Sequence, residues 1–408
     1  MKKPELLAPA GSMEKLKTAL YFGADAVYVG GKNFSLRAGA RNFTDEELKE
    51  GVEYAHALGK KVYVAVNIFA RESDLLPASQ YFQYLQSIGA DAVIVTDPGL
   101  IAVARESAPQ LPLHLSTQAN TLNSAAVRFW KSQGVSRVIL ARELSLDTVA
   151  EIYKKADGVE LEAFVHGAMC ISYSGRCLLS NYLNGRDSNR GECVQACRWK
   201  YEMREFNRGG EYLTVEEDER GTYVLNSKDL NMIRRIDQLA SSGVQSFKIE
   251  GRMKSVYYLA TVVNAYRRAI DDWAQRGKEY LNNPLYEKEL SETAHRAYTE
   301  AYAFGDNAET VNYTDAQTDG ESDFIAVVVN GTTDGKATVE MRGRFFVGDE
   351  LEVLSPTDAF LKKITVREMC DEKGNSITDA KLVQQRLVLS TAVSLSAGDI
   401  LRRKKSAK

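Results

Sequence analysis

Cysteine is scarce in this 408-residue chain: five residues, too few for the disulfide-stapled scaffold of a small secreted protein. Histidine is scarcer still, with His56, His114, His166 and His295 only, and no His-Glu-x-x-His helix among them. That removes the usual zinc-hydrolase pattern. No Gly-x-Ser-x-Gly elbow follows a strand-like run, since Ser174-Gly175 lacks the first glycine. No run of about 18 uncharged apolar residues exists, which excludes a membrane helix. The stretch Met1 to Pro9 meets an acid and two prolines before a signal-type apolar core can form. Charge of one sign is also lacking: 52 basic side chains face 55 acidic ones, for a net charge of −3. Any polyanionic partner must therefore meet a local surface rather than a bulk field. The length exceeds one ordinary core, so a large domain and a smaller one are expected, in a cytoplasmic enzyme or binding protein.

What is present is a repeated phrase. Gly23-Ala24-Asp25-Ala26-Val27-Tyr28-Val29 recurs as Gly89-Ala90-Asp91-Ala92-Val93-Ile94-Val95, and looser copies begin at Gly134 and Gly243. The first two follow apolar residues at helical spacing: Leu16, Ala19 and Leu20, or Phe82, Leu85 and Ile88. The glycine therefore reads as the left-handed residue behind a helix, and the apolar run after it as a buried parallel strand. Residues 5–8, 61–67, 112–116 and 159–165 add strands, giving roughly eight, most spaced by about 20–35 residues with helical patterns between them. Thr44 before Asp45-Glu46-Glu47 and Ser145 before Leu146-Asp147 suit helix entries. The pattern predicts an α/β fold, a (β/α)8 TIM-barrel-like domain. An open doubly wound sheet is the alternative, because sequence period does not encode closure.

One connection is irregular. About 80 residues separate Val165 from Phe247, and unstructured spans of that length are usually functional. After Gly305, helical patterning through 286–303 gives way to short strands at 324–329, 337–341, 347–354 and 387–390. Turn pairs such as Asn330-Gly331 and Asp334-Gly335 punctuate them, as in a small all-β barrel-like domain. The expected division is 1–320, a (β/α) barrel-like catalytic domain with a cysteine-rich insertion at about 166–222, and 321–408, a C-terminal β-barrel domain. Its basic tail, Arg402-Arg403-Lys404-Lys405, reads as a solvated terminus, with a nucleic-acid contact as the alternative.

Four of the five cysteines, Cys170, Cys177, Cys193 and Cys197, fall in the irregular connection, with six, fifteen and three residues between them. Cys370 stands apart and reads as an inert thiol. Structural zinc prefers closer ligand pairs than a six-residue gap allows. Disulfides do not suit a chain without a signal peptide. Four thiolates on an iron–sulfur cluster tolerate irregular spacing. Cluster, zinc and unligated thiols all remain open on spacing alone. Cys170 runs straight off a strand, at the carboxyl-end rim where barrel active sites gather.

The residues around these cysteines carry a resemblance. Glu162-Ala163-Phe164-Val165-His166-Gly167-Ala168-Met169-Cys170 is followed by Ser174-Gly175-Arg176-Cys177-Leu178-Leu179-Ser180, then by Cys193-Val194-Gln195-Ala196-Cys197-Arg198-Trp199. With Tyr223 to Leu230, Lys248-Ile249-Glu250-Gly251-Arg252-Met253-Lys254-Ser255 and the opening Glu5 to Gly11, this resembles peptidase family U32, the collagenase-like proteins, over nearly the whole chain. The resemblance implies a [4Fe–4S] cluster on Cys170, Cys177, Cys193 and Cys197, and oxygen-independent hydroxylation despite the family's name. The form with a terminal β domain is most similar to the branch that makes 5-hydroxyuridine at the wobble position of tRNA. For that branch the resemblance implies a tRNA anticodon loop as partner and prephenate as hydroxyl donor.

Candidate chemistry lies just behind the strands, at Asn67, Asp97, Gln118, Arg142, Glu143, His166, Lys248, Glu250 and Arg252, where loop capping is the plainer role for each alone. Lys248 and Glu250 alternate with Phe247 and Ile249, so both are expected to point into the barrel. A Lys248–Glu250 pair is the structural reading. Binding of a small dicarboxylate such as prephenate through Lys248 and Arg252 is the functional one, with His166 and Glu250 completing the catalytic candidates. Arg186, Arg190, Arg198, Lys200, Arg204 and Arg208, interleaved with Trp199, Tyr201 and Phe206, suit RNA contact, although nearby acids dilute them. An anticodon-loop base is already unstacked for entry. The alternatives are a U32-type peptidase, which needs a nucleophile–base pair such as Cys177 with His166, and a non-catalytic RNA-binding or assembly factor.

Overall fold

The computed structural model describes residues 3–35, 42–199, 226–305, 310 and 319–405. Its first sheet is built from β1 (Glu5–Pro9), β2 (Ala26–Gly30), β3 (Lys61–Val66), β4 (Ala92–Val95), β5 (Leu113–Leu115), β6 (Val135–Ile139), β7 (Glu160–Ala168), β8 (Asp229–Asn231) and β9 (Ser246–Ile249). Strands β1 to β7 pair in parallel in sequence order, and β9 pairs in parallel with both β7 and β1. Eight parallel strands thus form a closed ring, the (β/α)8 architecture expected from the repeats, and not the open sheet. Strand β8 lies outside the ring, antiparallel to the far end of β7.

The repeats fold as their composition requires. Gly23 has φ +105°, and a Cβ there would sit 2.5 Å from the Arg267 side chain, so both backbone angle and space demand glycine. Helix 45–57 opens on a reciprocal capping box between Thr44 and Glu47, and helix 146–154 on the Ser145 hydroxyl. Leu6, Val27, Val64, Val93, Val138 and Phe247 face the surrounding helices and form the main core. The opposite faces of the strands fill the barrel, where a small apolar layer (Leu7, Tyr28, Tyr63, Ile94 and Ile139) meets a charged one. The 21-residue helix Val256–Arg276 buries thirteen residues against the barrel wall. No helix among the described residues is long and apolar enough to cross a membrane.

Two expectations are corrected beyond the barrel. Helical pattern was expected through 286–303, but the helix Pro284–Ser291 stops there and Tyr298–Thr299 is a strand beside β8. The basic tail is not a free terminus. Ile400–Lys404 is an inner strand of an eight-stranded antiparallel sheet, paired with Ser322–Thr333 on one side and Glu350–Leu354 on the other. Ile400 and Leu401 are apolar and buried, and they draw the charges behind them into the sheet. Arg402 is fully buried. It binds Glu289 of helix 284–291 through both carboxylate oxygens (2.8 and 2.9 Å) and Glu352 of the neighbouring strand. Arg403 pairs with Asp349 at 2.8 Å, and Lys404 pairs with Glu292. Arg402 and Lys404 thus tie the sheet to the barrel domain, whereas Arg403 is paired within the sheet's own domain, so the tail is a paired strand and not a solvated arm. The terminal domain is all-β, as expected, with a core of its own, and the edge strands of its larger sheet, Lys363–Thr365 and Ser376–Ile377, are not paired to each other among the described residues.

Candidate active site and cysteine centre

The barrel interior is crossed by a chain of buried charges. Lys248 of β9 donates to Glu162 of β7 at 2.8 Å, and the other oxygen of Glu162 accepts from Arg137 of β6 at 3.2 Å. Arg137 continues to Glu5 (2.6 Å) and Glu160 (2.7 Å) at the amino-terminal end of the barrel. Glu162 is fully buried and Lys248 nearly so, a costly arrangement outside such a network. The expected Lys248–Glu250 pair is therefore corrected: both point to the barrel's inside, but Lys248 is held by Glu162, while Glu250 accepts from the Tyr28 hydroxyl at 3.0 Å. The Lys248 ammonium also lies 4.5 Å from the centre of the Tyr28 ring and 5.4 Å from that of Phe164, on faces that attract a cation.

Above Lys248 opens a cavity of about 160 Å³, at the carboxyl ends of the strands. Voids of about 150 Å³ take a six-membered ring. Lys248, Glu250, Arg252, Gln118 and Arg142 line it, together with Cys170, Cys177 and Cys193. Arg252 donates to Ser35 at 2.8 Å and Asn42 at 3.2 Å, which fixes its guanidinium on the rim. Gln118 accepts from Asn67 at 2.9 Å. The cysteine segment closes over Gln118 because Gly175, at φ +77°, carries no Cβ; one would lie 2.9 Å from the Gln118 amide nitrogen. Asp97 is a helix cap, its side chain accepting from Leu100 N at 3.1 Å. Burial pushes the Glu143 carboxyl up, against the opposing pull of Arg142.

The four clustered thiols converge. Cys170, Cys177 and Cys193 line one cavity, and Cys197 lies within their electrostatic reach: burial pushes its thiol up, Arg198 pulls it down, and the other three thiols push it up further. Donors face them: the Ser180 hydroxyl lies 3.8 Å from Cys193 Sγ, and Arg142 Nη2 lies 4.0 Å from Cys170 Sγ. Among the described residues no three His, Cys, Asp or Glu side chains are grouped to hold a single metal ion. A four-iron cluster sets a looser requirement, since its thiolates bind four separate irons rather than one. Four thiols at a rim supplied with cations and donors fit that soft-ligand group.

Sequence comparison gives the chain's family. Residues 11–313 match Peptidase family U32, and residues 320–402 match the Peptidase family U32 C-terminal domain. The chain belongs to peptidase family U32. It is 40% identical over 391 residues to tRNA hydroxylation protein P1 of Bacillus subtilis (strain 168), covering 93% of this chain and 90% of that protein. Identity to tRNA hydroxylation protein P of Escherichia coli (strain K12) is also 40%, over 419 residues, with 92% and 91% covered. The 23S rRNA 5-hydroxycytidine C2501 synthase of the same E. coli strain is 36% identical over 267 residues, 65% of this chain and 39% of that protein.

In this U32 chain the motif histidine is not at the cavity. The pairing of β7 with β9 slips between Phe164 and His166, so Phe164 sits opposite Lys248 on the inside and His166 opposite Ile249 on the outside. Strict alternation from Phe164 misses that bulge and turns His166 the wrong way. The ring is enclosed by Tyr258, Tyr266 and Tyr298, and a Cys177–His166 nucleophile pair does not form. Burial pushes the His166 imidazole down to about 3. Above about pH 6.5 the ring is neutral in folded and unfolded chains alike; below it the unfolded chain takes up a proton that the folded chain refuses. Wild-type stability is expected to fall relative to His166→Gln by about 1.4 kcal/mol per pH unit between those limits. Urea unfolding at stepped pH measures this, and parallel curves for the two proteins would contradict it.

Tyr28 was missed, although it is the inward residue of the first repeat and alternation could have found it. Tyr173 was missed as well; it lines the cavity and is half-exposed. Of the basic–aromatic stretch, Arg190 is tied to Asp74 at 2.9 Å and Trp199 is exposed. Lys200, Tyr201, Arg204, Phe206 and Arg208 lie outside the described residues, as do Tyr223 to Leu225.

Proposed function

We propose that this chain is a tRNA hydroxylase that forms 5-hydroxyuridine at the wobble position. In this reading a [4Fe–4S] cluster sits on Cys170, Cys177, Cys193 and Cys197, and prephenate supplies the hydroxyl without molecular oxygen. The observation that carries it is a single cavity whose rim holds cysteines of a four-thiol group and whose floor is a buried cation, in a chain similar along its length to tRNA hydroxylation proteins. When bound, the cluster supplies single-electron chemistry at the rim.

The protein's own groups have separate tasks. Lys248, held in place by Glu162, and Arg252, oriented by Ser35 and Asn42, attract the carboxylates of a small dicarboxylate. Tyr28 orients Glu250, the carboxylate placed to accept a proton. The half-exposed Tyr173 ring gives an unpaired base a stacking face at the entrance. Mass spectrometry of tRNA nucleosides tests the assignment. A strain lacking the gene is expected to lose 5-hydroxyuridine derivatives and to regain them when the gene is restored; unchanged levels on deletion would refute it.

A further inference from the structure

We propose that Arg142 is a positioning residue that sets the reduction potential of the cysteine centre from inside the substrate cavity; this rests on the cluster reading above. Arg142 follows β6 and its guanidinium carbon lies over the Phe164 ring, 4.8 Å from the ring centre. Its Nη1 donates to the Ala168 carbonyl at 2.8 Å and its Nη2 to the Ser174 hydroxyl at 2.8 Å. Those two partners bracket Cys170 in the chain, so one guanidinium ties both arms of the loop that presents this thiol. The same Nη2 lies 4.0 Å from Cys170 Sγ. The planar fork aims separate N–H groups at the carbonyl and at the hydroxyl and sulfur, which holds its positive charge beside Cys170.

The surroundings of the other thiols differ. Cys193 faces a neutral donor, the Ser180 hydroxyl, which is oriented because its oxygen accepts from Val194 N at 3.1 Å. Cys197 feels Arg198, which does not line the cavity. Arg142 alone among these donors is both next to a cluster thiol and part of the cavity wall. A fixed positive charge beside a centre that gains an electron stabilises the reduced form and raises its potential. Partial burial of the guanidinium limits screening by water. The thiol beside this charge, Cys170, itself lines the substrate cavity.

Anaerobic redox titration of the full chain, followed by the electron-resonance signal of the reduced cluster, tests this with iron content measured alongside. Arg142→Gln is expected to shift the midpoint potential to more negative values at unchanged iron, whereas Arg142→Lys, which keeps the charge, recovers most of the shift. Equal potentials for wild type and Arg142→Gln, or an equal shift in the lysine variant, would overturn the proposal. If Arg142→Gln holds no iron, Ser174→Ala decides: it frees one anchor and leaves every thiol in place, and a smaller shift of the same sign is expected, an unchanged potential being contrary. Wild type without iron would instead refute the cluster reading itself.

Discussion

Glu162→Ala is expected to destabilise the folded chain by about 3–5 kcal/mol, because it strips a buried cation of its partner. Arg137 keeps Glu5 and Glu160 when Glu162 is lost, but Lys248 has no second carboxylate at salt-bridge distance among the described residues. The stranded ammonium must then give up its proton or draw water into the barrel. Urea unfolding of wild type, Glu162→Ala, Lys248→Met and the double variant forms a cycle that isolates the pair. The double variant should be more stable than Glu162→Ala alone, since it removes the charge together with its partner. A loss below about 1 kcal/mol for Glu162→Ala would mean that the pair is solvated rather than buried. The functional corollary follows from the same geometry: a cavity floor without a cation should lose hydroxylation even where the fold survives.

Arg402→Ala should cost a comparable amount, about 3–5 kcal/mol, by a different route. There the cation is removed, and Glu289 and Glu352 are left facing each other with their shared partner gone. Because Glu289 belongs to a helix of the barrel domain and Glu352 to the terminal sheet, the damage falls on the contact between the two. Tyr21 with Asp399 (2.8 Å) and Arg342 with Glu14 (2.6 Å) support the same contact but are more exposed. Denaturant unfolding of the variant is expected to split into two transitions, one for each domain. Arg402→Lys should rescue little, since one ammonium cannot form both paired contacts. An unchanged midpoint for Arg402→Ala would contradict this role for the tail.

The ring of strands was legible because each copy of the Gly-Ala-Asp-Ala-Val phrase couples a helix stop to a buried strand. The site was legible in part: alternation along Lys248 and Glu250 found the inward side chains, and the cysteine spacing marked the rim. Partners were not legible. Glu162 and Lys248 stand 86 residues apart in the chain and meet only because β9 closes on β7. His166 misled because a one-residue bulge reverses every side chain after it. The tail misled because charge suggested solvent, while the apolar pair Ile400 and Leu401 in front of it placed the strand inside the sheet.

The most direct measurement joins the cysteine centre to the reaction. In a strain lacking the gene, a copy carrying Cys193→Ser is expected to yield tRNA without 5-hydroxyuridine derivatives, while the wild-type copy restores them. Full restoration by Cys193→Ser, at equal protein level, would contradict a hydroxylase whose cluster is held by these four cysteines.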